Sequence, residues 1–174
     1  MSPSILPIIE QITARLALGE SIESDRIELK REWYQLPDSA HIQEFLKDVV
    51  SLVNTPGLTA YLIIGIDKSG NLYDAPFSSS GLRDQSDVHQ LLVKHVDLPF
   101  RVNIEEVTVT DKGTPKTISV IEIPPSIEKP HFIRRHVTKK GQEIEHYIPI
   151  RKTTGVFTAN RADVEYMFYD RKNI

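Results

Sequence analysis

The sequence predicts an α+β fold: one mixed sheet with flanking helices and a basic β-hairpin. Three observations carry this. Apolar residues recur at helical spacing in four separated stretches. The run "AYLIIGI", Ala60 to Ile66, is apolar almost throughout, as expected of a strand buried on both faces. Short runs rich in β-branched residues, punctuated by glycine and proline, fill the second half of the chain.

Composition sets the outer bounds. With 174 residues, 40% apolar and 26% charged, residues 1–174 read as one globular domain with a real core. A net charge of −3 argues against a uniformly basic nucleic-acid coat but allows local patches. The chain has no cysteine, which removes disulfides, thiol nucleophiles and cysteine-ligated zinc. The N-terminus lacks a basic segment and a continuous apolar run. The expectation is therefore no signal peptide, no membrane span and a cytoplasmic location.

Ser2-Pro3 can open a first helix, with Ile5, Ile8, Ile9, Ile12 and Leu16 on one stripe and Gly19 just past its end. Next comes "ESDRIELK", Glu23 to Lys30, an acidic loop entering a strand read from Arg26 to Trp33. Side chains alternate along a strand, so Arg26, Glu28, Lys30 and Glu32 share a polar face, with Ile27, Leu29 and Trp33 opposite. Pro37-Asp38-Ser39 breaks the chain and caps a helix over about 40–53, whose stripe is Ile42, Phe45, Leu46, Val49, Val50 and Val53. Asn54 to Gly57 stops it. After the buried strand, Asp67 to Gly70 turns the chain and Asn71 to Tyr73 starts a return strand. Asp67 thus lies at the end of a central strand, where polar residues often line a site; shaping the turn is the equal alternative.

Residues 74–85 read as loop. Ser86 can cap a helix to about 96, and strands over about 100–110 and 116–123 follow. Their alternation holds only with a bulge near Glu105-Glu106. "HFIRRHVTKKGQEIEHYIPI" reads as a hairpin turning at Lys140-Gly141. Around it stand Lys129, Arg134, Arg135, Lys139, Lys140, Arg151 and Lys152, against only Glu143 and Glu145. Such a ribbon can track a phosphate backbone, and lysines also protect an ordinary edge hairpin from aggregation. A last helix over about 159–170 turns Val164 and Phe168 inward, beside Met167.

Several ordered motifs resemble the Schlafen AlbA-like (AlbA-2) domain family over nearly the whole chain. The family's opening glutamate and "E-F-K" strand correspond to Glu23 and Glu28-Leu29-Lys30. "VSLVNTPGLTA", "IIGIDKSG", "VIEIPPSIEKP" and, more loosely, "YIPIRKTTGVFTA" match its later motifs in order. The family's glycine pair is reduced to Gly57 after Pro56, and its closing glycine-serine run is replaced by Lys152-Thr153-Thr154. The zinc-binding cysteines of vertebrate relatives are absent.

The resemblance implies a metal-dependent endoribonuclease acting on tRNA or structured RNA. Catalytic and metal-binding carboxylates would be Glu23, Glu28 and Asp67, with Mg²⁺ or Mn²⁺ bound, since hard cations prefer oxygen ligands. Lys30 would neutralise the phosphate in the transition state. The basic hairpin would hold nucleic acid, RNA favoured and DNA possible. One lobe here, where vertebrate enzymes pair two, implies a homodimer or a subunit of a larger complex, such as a defence system. The alternative is a non-catalytic DNA- or RNA-binding module. A metal-free variant would set His136 opposite His146 as general acid and base, if the hairpin turned about Gly141.

Overall fold

The computed structural model describes residues 5–36 and 38–174. Ser2-Pro3 and Pro37 lie outside the described residues. Among the described residues, four α-helices and nine strands follow in order: α1 (Ile5–Ala17), β1 (Ile27–Lys30), α2 (Ser39–Asn54), β2 (Ala60–Ile64), α3 (Gln85–His95), β3 (Val96–Asp97), β4 (Asn103–Asp111), β5 (Thr114–Ile123), β6 (Phe132–Val137), β7 (Glu143–Tyr147), β8 (Pro149–Lys152), β9 (Gly155–Thr158) and α4 (Arg161–Asp170). The strands divide among a four-stranded sheet, β1-β2-β5-β4, a three-stranded one, β3-β6-β7, and the β8-β9 ribbon. In the largest sheet β1 runs parallel to β2 and the other pairs are antiparallel, so the fold is α+β with a mixed sheet.

That sheet separates two cores. On one side α1 places Ile5, Ile9, Ile12 and Leu16 against Leu29, Ile63 and Val120. On the other, α2 places Phe45, Leu46, Val49 and Val50 against Leu62, Ile64 and Ile121. Each fully buried aliphatic side chain contributes roughly 1.5–3 kcal/mol, so the α2 side anchors the fold. Asp38 caps α2, its Oδ1 accepting from the backbone N–H of Ala40 and His41. At the other end the Arg26 guanidinium donates to the carbonyls of Leu52, Thr55 and Leu58 and so closes the helix.

Several details differ from the sequence reading. β1 ends at Lys30, and Trp33 crosses to the α2-side core, where Nε1 donates to Ala75 O and Ser119 Oγ. β2 ends at Ile64 because Gly65 takes a φ of +109°, with space for no side chain: a Cβ there would lie 2.7 Å from Ile118 Cδ1. The return strand is a single bridge, Ile66 to Leu72. Asp84, not Ser86, caps α3.

β4 and β5 pair without a bulge, from Asn103–Glu122 to Asp111–Thr114. The apolar residues in and just before β4 are out of phase because they serve opposite faces: Val102 and Ile104 join the α2 side, Val107 and Val109 the α1 side. In α4, capped by a reciprocal Asn160–Asp163 box, Met167 is the buried residue and Phe168 is exposed.

Candidate nucleic-acid interface and acidic network

The register of β1 decides the environment of the acidic strand. Glu28 stands beside Leu62 and Lys30 beside Ile64, and both β2 partners face α2. The polar face of β1 therefore points under the helix and not into solvent. Asp48, on the α2 stripe between Phe45 and Val49, meets it there.

The result is a buried ionic network. Lys30 Nζ lies 2.8 Å from Asp48 Oδ2 and 3.1 Å from Glu28 Oε1. Arg151, from β8, bonds the second oxygen of Glu28 and donates from Nε to Ser24 O at 2.7 Å. Tyr34 Oη donates to Asp48 Oδ2 at 2.7 Å. Burial alone disfavours the Lys30 ammonium, but Asp48 and Glu28 outweigh it and raise its pKa. Burial pushes the Tyr34 phenol well up, with Asp48 adding to the effect, so it stays a donor.

The other two predicted carboxylates have their own partners. Glu23 Oε2 pairs with Lys68 Nζ at 2.8 Å, while Glu23 Oε1 is buried without a hydrogen bond. Asp67 is consumed by its turn. Its Oδ1 accepts from the N–H of Ser69 (2.9 Å) and Asn71 (3.0 Å), and its Oδ2 from Asn71 Nδ2 (2.9 Å) and Tyr73 Oη (3.0 Å). These bonds, led by the Asn71 side chain, lower its pKa. Among the described residues, no three His, Asp or Glu side chains are grouped to hold a metal ion. With Glu28 taken up by two cations and Asp67 by its turn, the arrangement does not fit a three-carboxylate Mg²⁺ or Mn²⁺ centre.

The predicted basic residues fall into two groups. Lys129 is fully buried with its Nζ 2.5 Å from Asp170 of α4, and burial lowers its pKa. Arg151 is 2% exposed and belongs to the acidic network. Neither presents a charge to a backbone phosphate. Lys152 ties β8 to α4 through Asp163, at 2.8 Å.

Arg134, Arg135, Lys139 and Lys140 are exposed on the hairpin. Arg135 pairs with Glu143 across the strands, Lys139 reaches Glu44 at 3.0 Å, and Arg134 donates to Lys94 O at 3.1 Å. The hairpin pairs His136 with Ile144, so His146 is not its partner; His146 packs on Phe132 instead. The two histidines do not form an acid–base pair.

Sequence reasoning missed Asp48, Tyr34 and the β8-β9 ribbon. One signal was present for Asp48: a carboxylate within an apolar helical stripe requires a buried partner.

A protein-family model described as Schlafen, AlbA_2 matches residues 23–156. No curated protein matches the chain. Among the described residues, no helix is long and apolar enough to cross a membrane. The family match takes in the acidic loop, the sheet, the hairpin and β8, and by it the chain belongs to the Schlafen AlbA_2 family.

Proposed function

We propose that this protein is a nucleic-acid-binding domain that grips the phosphate backbone through its β6-β7 hairpin. Membership of the Schlafen AlbA_2 family supports a nucleic-acid-related role in general. One observation carries the more specific reading: Arg134, Arg135, Lys139 and Lys140 stand exposed on one hairpin of an otherwise acidic chain. Their partners are weak competitors. Arg135 and Glu143 are both exposed, so phosphate can replace the carboxylate at little cost.

The test is fluorescence anisotropy with labelled single-stranded RNA and DNA over a salt series. Affinity should fall steeply with salt, and the double change Arg134→Glu, Arg135→Glu should weaken it by roughly tenfold or more. Unaltered affinity in that variant, with the circular dichroism spectrum unchanged, overturns the reading.

A second reading, cleavage of RNA with Mg²⁺ or Mn²⁺ without a three-carboxylate centre, rests on Glu23 alone. Its Oε1 is buried with no donor, on the loop that Arg151 ties to Glu28. Incubating total tRNA with the protein and either metal tests it. Loss of intact tRNA that Glu23→Gln abolishes, with the circular dichroism spectrum unchanged, supports cleavage, while tRNA left whole with both metals rejects it.

A further inference from the structure

The hairpin does more than display charge: it leaves a trough against the N-terminal half of α2. Two adjoining cavities, of about 260 and 580 Å³, share Gln43, Glu44 and Lys139 in their walls. The larger lies within the range of roughly 300–1,000 Å³ usual for ligand sites, and the smaller extends that space inward. A third space, of about 270 Å³, continues past Glu44 and His41 to Lys30 and Tyr34.

Lys139 is 83% exposed at the mouth, where it pairs with Glu44, and Lys47, partly exposed and 3.7 Å from Asp48 Oδ1, lines the same wall. Deeper, His136 and Tyr147 stack at 4.6 Å between ring centroids. Gln43 Oε1 fixes the imidazole, accepting from the Val137 N–H (3.2 Å) and lying 3.0 Å from His136 Nδ1. Since Gln43 Oε1 can only accept, Nδ1 carries the proton and Nε2 is left as an acceptor. Burial, helped by Lys47, lowers the His136 pKa and keeps the ring neutral. Glu44 supplies a second acceptor, held anionic by Lys139 against the opposing effect of burial.

Two cations, Lys47 and Lys139, and two acceptors, Glu44 and His136 Nε2, line one trough, and together they match a phosphate followed by a base whose edge carries N–H donors. We propose that the trough receives a single unpaired nucleotide of a nucleic-acid strand, its phosphate held by Lys47 and Lys139. The N–H groups of its base meet Glu44 and His136 Nε2, as carboxylates accept from base amino groups elsewhere. This rests on the nucleic-acid reading above and adds a base-reading pocket to it. A duplex, whose base edges are paired, would not enter.

The experiment compares a base-bearing single-stranded oligonucleotide with an abasic strand of equal length. The intact protein should bind the base-bearing strand roughly tenfold tighter, from the usual contribution of one well-held base. His136→Asn should erase that preference while leaving the abasic strand's affinity unchanged. Glu44→Gln, a more exposed substitution, provides a second variant should His136→Asn unfold, and it should narrow the preference too. Arg134→Glu with Arg135→Glu should weaken both strands alike.

Equal binding of the two strands by the intact protein, or a preference untouched by Glu44→Gln, overturns the pocket and leaves backbone binding standing. No binding of either strand overturns the backbone reading as well. A free mononucleotide serves as the third arm: binding of it without binding of the strand would assign the trough to free nucleotide and overturn the proposal.

Discussion

Two sets of ion pairs, built from the same residue types, behave oppositely in this molecule. Glu28, Lys30, Asp48 and Arg151 meet beneath α2, with Asp48 and Arg151 almost wholly enclosed. Arg135–Glu143 and Lys139–Glu44 bridge strands and helix at the surface. In the first set Asp48 and Arg151 depend on their partners, because water cannot replace a partner there and an unpaired buried charge is costly. In the second, water and salt compete with the partner at all times, so the pair adds little to stability. A cation's usefulness to an anionic ligand thus depends on what encloses it, and two of the seven predicted backbone-binding residues, Lys129 and Arg151, serve the fold instead.

The sharpest way to break this contrast is to remove one buried partner. Arg151→Met leaves Glu28 facing only Lys30 and should cost about 3–5 kcal/mol in urea unfolding. Combining it with Glu28→Gln should recover part of that loss. An unfolding midpoint unchanged by Arg151→Met would place the pair in the exchangeable class.

Tyr34→Phe removes one donor to Asp48 while Lys30 remains. The expected loss is about 1–2 kcal/mol, read by the same unfolding curves.

Acidification probes buried groups together. His95, His131 and His136 all titrate below the ordinary imidazole range, chiefly because burial disfavours their cations. The unfolded chain then binds protons that the folded chain refuses. The histidine contribution is therefore intact above about pH 6.5 and is lost as pH falls below it. Unfolding curves at a series of pH values between about 7 and 5 should show declining stability. A flat profile would contradict the assignment.

The smallest effect on stability belongs to the hairpin. Arg135→Ala should leave the melting temperature essentially unchanged and yet weaken oligonucleotide binding, with a salt slope shallower by about one phosphate contact. A large drop in melting temperature with unchanged binding would invert the comparison.

Much of the frame was legible in the residues. The α2 stripe, the buried β2 and the turn at Asp67 follow from period and turn chemistry, which act over neighbouring residues. The regular course of β4 was not legible, and a bulge was expected instead, because one strand supplies Ile104 to one core and Val107 to the other. Alternation cannot show that one strand feeds two separate cores. Phe168 was misplaced for a related reason: α4 packs mainly through Met167, leaving its aromatic residues outside.

Of the candidate site, the sequence by itself determined the ingredients: a strand alternating acid and base, a carboxylate in a turn, and a hairpin dense in arginine and lysine. Only the tertiary structure decided which charges are available. Asp48 and Arg151 lie 20 and 123 residues beyond Glu28 in the chain, and nothing local announces that they converge on it. The polar face of β1 reads as solvent-facing until α2 and β8 close over it. Enclosure depends on contacts distant in sequence, and enclosure sets whether a charge is held or offered.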